Sequence, residues 1–289
     1  MPTMASIRLG TSAFRATGWE GAFYPAGMQP RDFLVYYATK FDTVEVDSTY
    51  YRTPSANVVT GWANKVPAGF LLAAKLPQVI THEKCLQDCD ADLKAFLDVM
   101  SIMGEKLGPL LLQFPYFNQK RFESGDEFLA RLKSFLPKLP SEFRFAVEIR
   151  NKQFLTAEFF DVLHVYDVAY ALTDQSFMPR ISEIFEKFDP ITTDFAYIRW
   201  LGDRKAIERV AKVWNRIVWD RTAELTSWVD VCKKIQRRGM TIFGYFNNHY
   251  AGFGPASVQL FRDMCAANGL EIPQPPTVER PPVEGWLFP

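Results

Sequence analysis

The chain is poor in the residues on which most metal and nucleophile chemistry depends. Only three histidines, His82, His164 and His249, stand in 289 residues. They form no HxH or HxxxH pair of the kind that holds a catalytic metal, so no metal site is expected. The four cysteines, Cys85, Cys89, Cys232 and Cys265, are too few for a disulfide framework in a chain this long. Cys85 and Cys89 are spaced to share a helix face, but no second CxxC or histidine pair completes a zinc site. Free thiols are expected. The formal net charge is zero, which excludes a protein whose whole surface attracts polyanions and leaves room for a local basic patch. No run approaches the roughly 20 apolar residues of a membrane helix. The opening MPTMASIRLG lacks a basic region followed by an apolar stretch. The expectation is a cytoplasmic protein without a membrane partner. No GxGxxG or GxxxxGKS/T is present to bind a nucleotide cofactor, and no cofactor is expected. Nor does Ser12 or Ser48 lie in a GxSxG elbow.

What the chain does have is an apolar fraction of 48%, enough at this length to bury a large core. Short apolar runs alternate with longer helical patterns, the rhythm of βαβ units and a parallel sheet. Strands are predicted at Ile7 to Gly10, Thr43 to Val46, Phe70 to Lys75, Leu110 to Gln113, Phe145 to Ile149, Ala169 to Thr173, Phe195 to Trp200 and Met240 to Phe246. Helices are predicted over 30–40, opened by Pro30, from about Ser55, and over 88–103, where Leu93, Phe96, Leu97 and Met100 recur at helical spacing. Others follow at Asp126 to Phe135, 156–166, most of 204–238, and Pro255 to Ala267. Eight strands at these intervals make a single α/β domain, a (β/α)8 TIM-like barrel over 1–270. An open doubly wound sheet is the alternative. The remainder, 271–289, is a proline-rich C-terminal tail that cannot form a regular helix. Trp286, Leu287 and Phe288 would pack it on the barrel.

In such a barrel the strand ends share one rim. Polar residues collect there. They include Ser48 and Tyr51 after strand two, Lys75 with His82 beyond it, Gln113, Arg150, Asp174, Arg199, and Asn247 with Asn248. Glu45 and Glu148 stand out because each is embedded in an apolar run, TVEV and FAVEI. A carboxylate buried that way needs a partner, and Lys75, Arg150 and Arg199 are the available cations. The arrangement is either an ion-pair network inside the barrel or a polar pocket with tuned carboxylates.

The same segments carry a family resemblance. IRLGTS at 7–12, WEGAFYP at 19–25, FDTVEVDSTYYRTPS at 41–55, THEK at 81–84, LGPLLLQFP at 107–115, FAVEIR at 145–150, ALTD at 171–174, DFAYIR at 194–199 and YFNN at 245–248 resemble the YecE-like proteins of the domain-of-unknown-function 72 family. The resemblance implies a TIM-like barrel and supplies no reaction. The chain departs from the family pattern at Ala13 and Phe14 (commonly Gly-Trp), at Asp47 (commonly Asn) and at Trp200, Leu201 and Gly202 (commonly Leu-His-Gly).

Three functions fit this reading. The first is an enzyme acting on a small polar or anionic, sugar- or phosphate-like substrate at the rim. Glu148 and Glu45 would divide acid and base roles with His82 as a further base. Arg150, Arg199 and Lys75 would hold the anion, while Ser48, Tyr51, Gln113, Asp174, Asn247 and Asn248 would line the pocket. The second is a nucleic-acid-binding barrel of the apurinic-endonuclease type, with Glu45, His82, Glu148, Asp174 and His249 as candidate ligands. In that reading the stretch RKAIERVAKVWNRIVWDR at 204–221 could touch phosphates, although it reads better as a solvated amphipathic helix. The third is a non-catalytic metabolite binder using the same pocket. A small-molecule substrate is favoured over nucleic acid, and no residue pattern sets an oligomeric state.

Overall fold

The computed structural model describes residues 6–270, together with Ile272 and Pro275. The rest of the proline-rich tail expected at 271–289 lies outside the described residues. Eight strands, β1 (Ile7–Thr11), β2 (Thr43–Val46), β3 (Leu71–Lys75), β4 (Leu107–Gln113), β5 (Phe145–Glu148), β6 (Ala169–Gln175), β7 (Phe195–Gly202) and β8 (Thr241–Phe246), alternate with helices. The helices are α1 (Phe33–Ala38), α2 (Ala56–Lys65), α3 (Asp90–Met100), α4 (Gly125–Phe135), α5 (Ala157–Val165), α6 (Ile181–Lys187), α7 (Arg204–Val210), α8 (Thr222–Arg237), α9 (Asn248–Ala251) and α10 (Gly254–Ala267). All strand pairs are parallel, in the order β1-β8-β7-β6-β5-β4-β3-β2. This is a nearly closed (β/α)8 barrel, and the open doubly wound alternative is set aside.

Strand alternation sorts the side chains into two clusters. Residues of one phase face the helices. Trp200, for instance, stacks on Phe246 with ring centroids 4.0 Å apart. Residues of the other phase fill the barrel. Small side chains from β3 to β6, Ala73, Ala146, Ala169 and Ala171, meet large ones from β7 and β8, Phe195, Tyr197, Phe243 and Tyr245. Facing rings touch at 5.8 Å (Phe195 and Phe243) and 5.1 Å (Tyr197 and Tyr245). The interior is therefore packed, and only its upper end is left for polar groups.

The β1/β2 seam carries no backbone ladder. A tyrosine from α1 bridges it. The Tyr37 hydroxyl accepts from the Thr11 amide at 2.8 Å and donates to the Thr43 carbonyl at 3.3 Å. Gly10 permits the approach, since a Cβ there would stand 2.0 Å from the Thr43 carbonyl oxygen.

Two sequence expectations change. The stretch 204–238 is mostly helical as expected, but the amphipathic helix read over 204–221 breaks after α7, and the segment between α7 and α8 crosses the rim. There the Trp214 amide donates to the Thr17 carbonyl and the Val218 amide to the Ala251 carbonyl. Loop-to-loop bonds thus replace helical ones, and the β-branched and aromatic residues of VWNRIVW resist the helix. Asp220 then restarts it by accepting the Thr222 amide. The second change is α6, a seven-residue helix too short to show a full amphipathic period. All four cysteines are free and buried. Cys85 occupies a positive-φ turn and Cys89 immediately precedes α3, so they share no helix.

Tyr37→Phe strands the buried Thr11 amide at the seam. It is expected to lower unfolding free energy by about 1–3 kcal/mol in denaturant titrations. A cost under about 0.5 kcal/mol would mean that the seam is closed by packing alone.

Candidate functional site

Three strands present one charged group each to the upper barrel interior, in the same pleat phase as the core residues two positions before them. Glu45 follows Thr43 on β2, Glu148 follows Ala146 on β5, and Arg199 follows Tyr197 on β7. None of the three is more than 1% exposed. The guanidinium forks between the carboxylates, with Arg199 Nη2 donating to Glu45 Oε1 at 2.6 Å and Nη1 to Glu148 Oε2 at 2.5 Å. The other two carboxylate oxygens are also met. Tyr197 donates its hydroxyl to Glu45 Oε2 at 2.5 Å, and Arg150 Nε donates to Glu148 Oε1 at 3.2 Å. Every carboxylate oxygen has a donor, the condition under which charges survive in a low-dielectric interior.

Above this trio the groups open towards solvent. Lys75 Nζ pairs with Asp47 Oδ1 at 2.8 Å and lies 3.5 Å from Gln113 Oε1. The Lys75 side chain is 9% exposed, that of Asp47 35% and that of Arg150 29%. Asp47 also faces Arg199 at 3.8 Å. Three carboxylates thus share the barrel top with three cations. His82 sits beside them on a single π-helical turn, Val79–Glu83, a local geometry common at functional sites. Its Nδ1 meets Thr81 Oγ1 at 2.8 Å, and its ring packs edge-on against Tyr50 at 4.9 Å.

The environment separates the two glutamates. Burial pushes the Glu45 carboxyl up, with Asp47 adding to it against the pull of Arg199. Burial is also the largest single influence on Glu148, but Arg199, Arg150 and Lys75 together outweigh it and hold its carboxyl below the usual range. Burial and the nearby charges of Arg150 and Lys75 push His82 down to about 4, so its imidazole is neutral at pH 7.

A family model described as a protein of unknown function, DUF72, matches residues 8–281. The chain belongs to the DUF72 family. It is 35% identical over 121 residues to the UPF0759 protein YecE of Escherichia coli strain K12, a stretch that covers 42% of each chain. A DUF72 protein structure from Thermotoga maritima MSB8 matches with a TM-score of 0.70 at 26% identity, over 90% of this chain and 99% of that one. Another, from Enterococcus faecalis V583, matches with a TM-score of 0.66 at 18% identity, over 93% and 98%.

In this DUF72 barrel six of the residues singled out from sequence converge: Glu45, Lys75, Gln113, Glu148, Arg150 and Arg199, with His82 adjoining them. The others lie apart. Asp174 has the outward phase, one residue after Thr173, and its carboxylate accepts from Trp228 Nε1 at 2.8 Å and Tyr250 Oη at 3.0 Å. Asn248 accepts from Trp19 Nε1 and the Gly254 amide, tying the first loop to α10. Asn247 is occupied by the backbone amide and ring of His249. Ser48 is exposed at the rim, and Tyr51 is 72% exposed and packs on Tyr50 at 5.2 Å. Among the described residues no three His, Cys, Asp or Glu side chains converge as a ligand set, and no helix is long and apolar enough to cross a membrane. Sequence reasoning left two participants out of the site, Tyr197 and Asp47. Each stands two positions from a selected residue, Tyr197 before Arg199 in the same strand phase and Asp47 after Glu45 at the first position beyond β2.

Arg199→Met removes the shared cation and leaves Glu45 and Glu148 with one donor each. It is expected to cost about 3–5 kcal/mol of unfolding free energy. A loss below about 1 kcal/mol in chemical denaturation would mean that the carboxylates find other partners.

Proposed function

We propose that this DUF72 protein is an enzyme acting on a small polar or anionic, sugar- or phosphate-like substrate at the C-terminal mouth of the barrel. The observation that carries this reading is the pair of buried carboxylates on one guanidinium, driven in opposite directions from their ordinary pKa. Carboxylates so strongly perturbed by burial and by specific charge partners mark a functional site more often than a structural filling. Stability alone gives no reason for such a floor, because apolar side chains of similar volume close a core as well or better than a buried ion network.

Exposure divides the roles. Glu45 and Glu148 are closed to solvent, so they act as the positioning pair that fixes Arg199 and Arg150. Arg150 is partly open to the mouth and Lys75 lies buried below it on Asp47; the two would hold the anion, Arg150 with the planar fork that suits phosphate or carboxylate. Neutral His82 offers Nε2, the nitrogen not engaged by Thr81, to a substrate oxygen. A neutral imidazole of lowered pKa is suited to polarising a carbonyl or exchanging a proton there. Asp47, paired to Lys75, is the exposed carboxylate within reach of the same space. Gln113 would orient a hydroxyl or carbonyl, and Tyr51 lies at the outer edge. Reading the same cluster of groups as that of a metabolite sensor changes only whether turnover follows binding.

The test is a thermal-shift screen of phosphorylated sugars, nucleotides and organic acids. A ligand at about a hundred times its Kd adds about 2.7 kcal/mol of stability. The expected outcome is a shift with a small anion that disappears in Arg150→Ala while the variant's own melting stays cooperative. A screen in which no small anion stabilises the protein, or one whose shift survives Arg150→Ala, contradicts the proposal.

A further inference from the structure

Outside the barrel mouth, two clefts share a wall. The first, about 380 Å³, lies between α1 and α2 beside the β1/β2 seam and opens onto the rim at Asp47. The second, about 440 Å³, continues from it past the end of β2. Ser48, Val58 and Trp62 line both. Val46 and Leu34 complete an apolar floor, and Val58 is 45% exposed.

The charges around this floor have one sign. Arg15, Arg31 and Lys65 line the first cleft and Arg52 the second. The one acid lining either cleft is Asp47, whose carboxylate is already held by Lys75 at 2.8 Å. Arg31 meets only Asp32, at 3.8 Å between largely exposed side chains. Among the described residues Arg15, Arg52 and Lys65 pair with no carboxylate, although the chain as a whole carries as many acids as bases. In a chain of zero net charge, four cations on one apolar-floored cleft make a local basic patch.

We propose that this double cleft binds single-stranded nucleic acid. The cations come from four different segments, Arg15 after β1, Arg31 before α1, Arg52 after β2 and Lys65 at the end of α2, and they are divided between the two clefts. That arrangement suits a series of single charges better than one compact dianion. A phosphodiester strand supplies such a series, and its flat bases can stack on the half-buried Trp62 ring that lines both clefts. Three of the four cations are arginine, whose planar fork matches phosphate oxygens. An acidic peptide would offer the charges without rings to stack. A duplex keeps its bases stacked on one another and away from Trp62. The inference is independent of the reaction proposed for the mouth. The mouth depends on Arg150 and the cleft on Arg15, Arg52 and Lys65, so either can fail alone.

Fluorescence anisotropy of the full chain with a labelled oligothymidylate of about twelve nucleotides tests it. With three or four phosphate contacts, each contributing about 0.7, the slope of log K against log salt should fall between about −2 and −3. Arg15→Ala and Lys65→Ala should each make the slope shallower by about 0.7. Trp62→Ala should weaken binding about tenfold at an unchanged slope. Arg144→Glu, an exposed site at the other end of the barrel, should alter neither. Arg15→Ala, Lys65→Ala and Arg144→Glu should melt as the parent does, since all three side chains are exposed, and Trp62→Ala, which also loses packing against the core, is measured well below its own melting temperature. The proposal is overturned if the oligonucleotide does not bind at low salt. Affinity surviving Arg15→Glu combined with Lys65→Glu overturns it too. So does displacement by a mononucleotide, by polyglutamate or by a duplex at the same phosphate or carboxylate concentration as the single strand.

Discussion

The Arg199 guanidinium lies inside the barrel with a carboxylate on each side of its fork, and the arrangement of the upper barrel follows from that placement. Two glutamates in a packed interior are tolerable only while each oxygen has a donor. Arg199 supplies two of the four bonds, Tyr197 one and Arg150 one. Because the inner trio is left with an excess negative charge, Lys75 and Arg150 are drawn to the layer above it, and Asp47 to Lys75. The chemistry of the mouth is thus set from below. Its cations and its carboxylate are held at fixed positions by a floor that solvent does not reach.

The barrel supports this floor unevenly. Ladders join every neighbouring pair of strands except β1 and β2. At that seam a side-chain hydroxyl from α1 stands in for backbone bonds, and Gly10 lies against the Thr43 carbonyl. Thr43 shares its phase with Glu45, so the seam lies directly beneath one member of the buried pair. The same flank carries the cleft between α1 and α2. The part of the barrel with the fewest backbone bonds is therefore also the part flanked by the double cleft.

Much of this was legible in the sequence because strand phase is a strict constraint. An acidic residue in TVEV or FAVEI has apolar neighbours on both sides, and a carboxylate buried even in part requires a cation. Lys75, Arg150 and Arg199 were the cations at strand ends, and all three are there. Polar residues placed by strand-end position alone fared less well. Asp174 follows Thr173 by one residue and so points to the helices, while Asn247 and Asn248 are spent on the turn into α9 and α10. A strand-end position names the rim but not the direction of the side chain. The broken helix across 211–221 was also illegible, since its backbone bonds go to the first and last loops, contacts that exist only in the folded barrel. Exposure was the other missing quantity. The sequence marked Glu45 and Glu148 as partly buried, and their complete enclosure is the reason for proposing a positioning role for them.

The separation of the two glutamates is the centre of this account, and it can be read directly. Carbon-detected NMR titration of the Glu45 and Glu148 carboxyls in the intact protein follows each group through its protonation. Glu148, under Arg199, Arg150 and Lys75, should titrate below the ordinary glutamate value, and Glu45, with burial dominant and Asp47 nearby, above it. Titration of both carboxyls together at the ordinary value, or in the reverse order, would contradict the account. The buried network would then be a structural filling of the barrel, without the perturbed pair that marks a functional site.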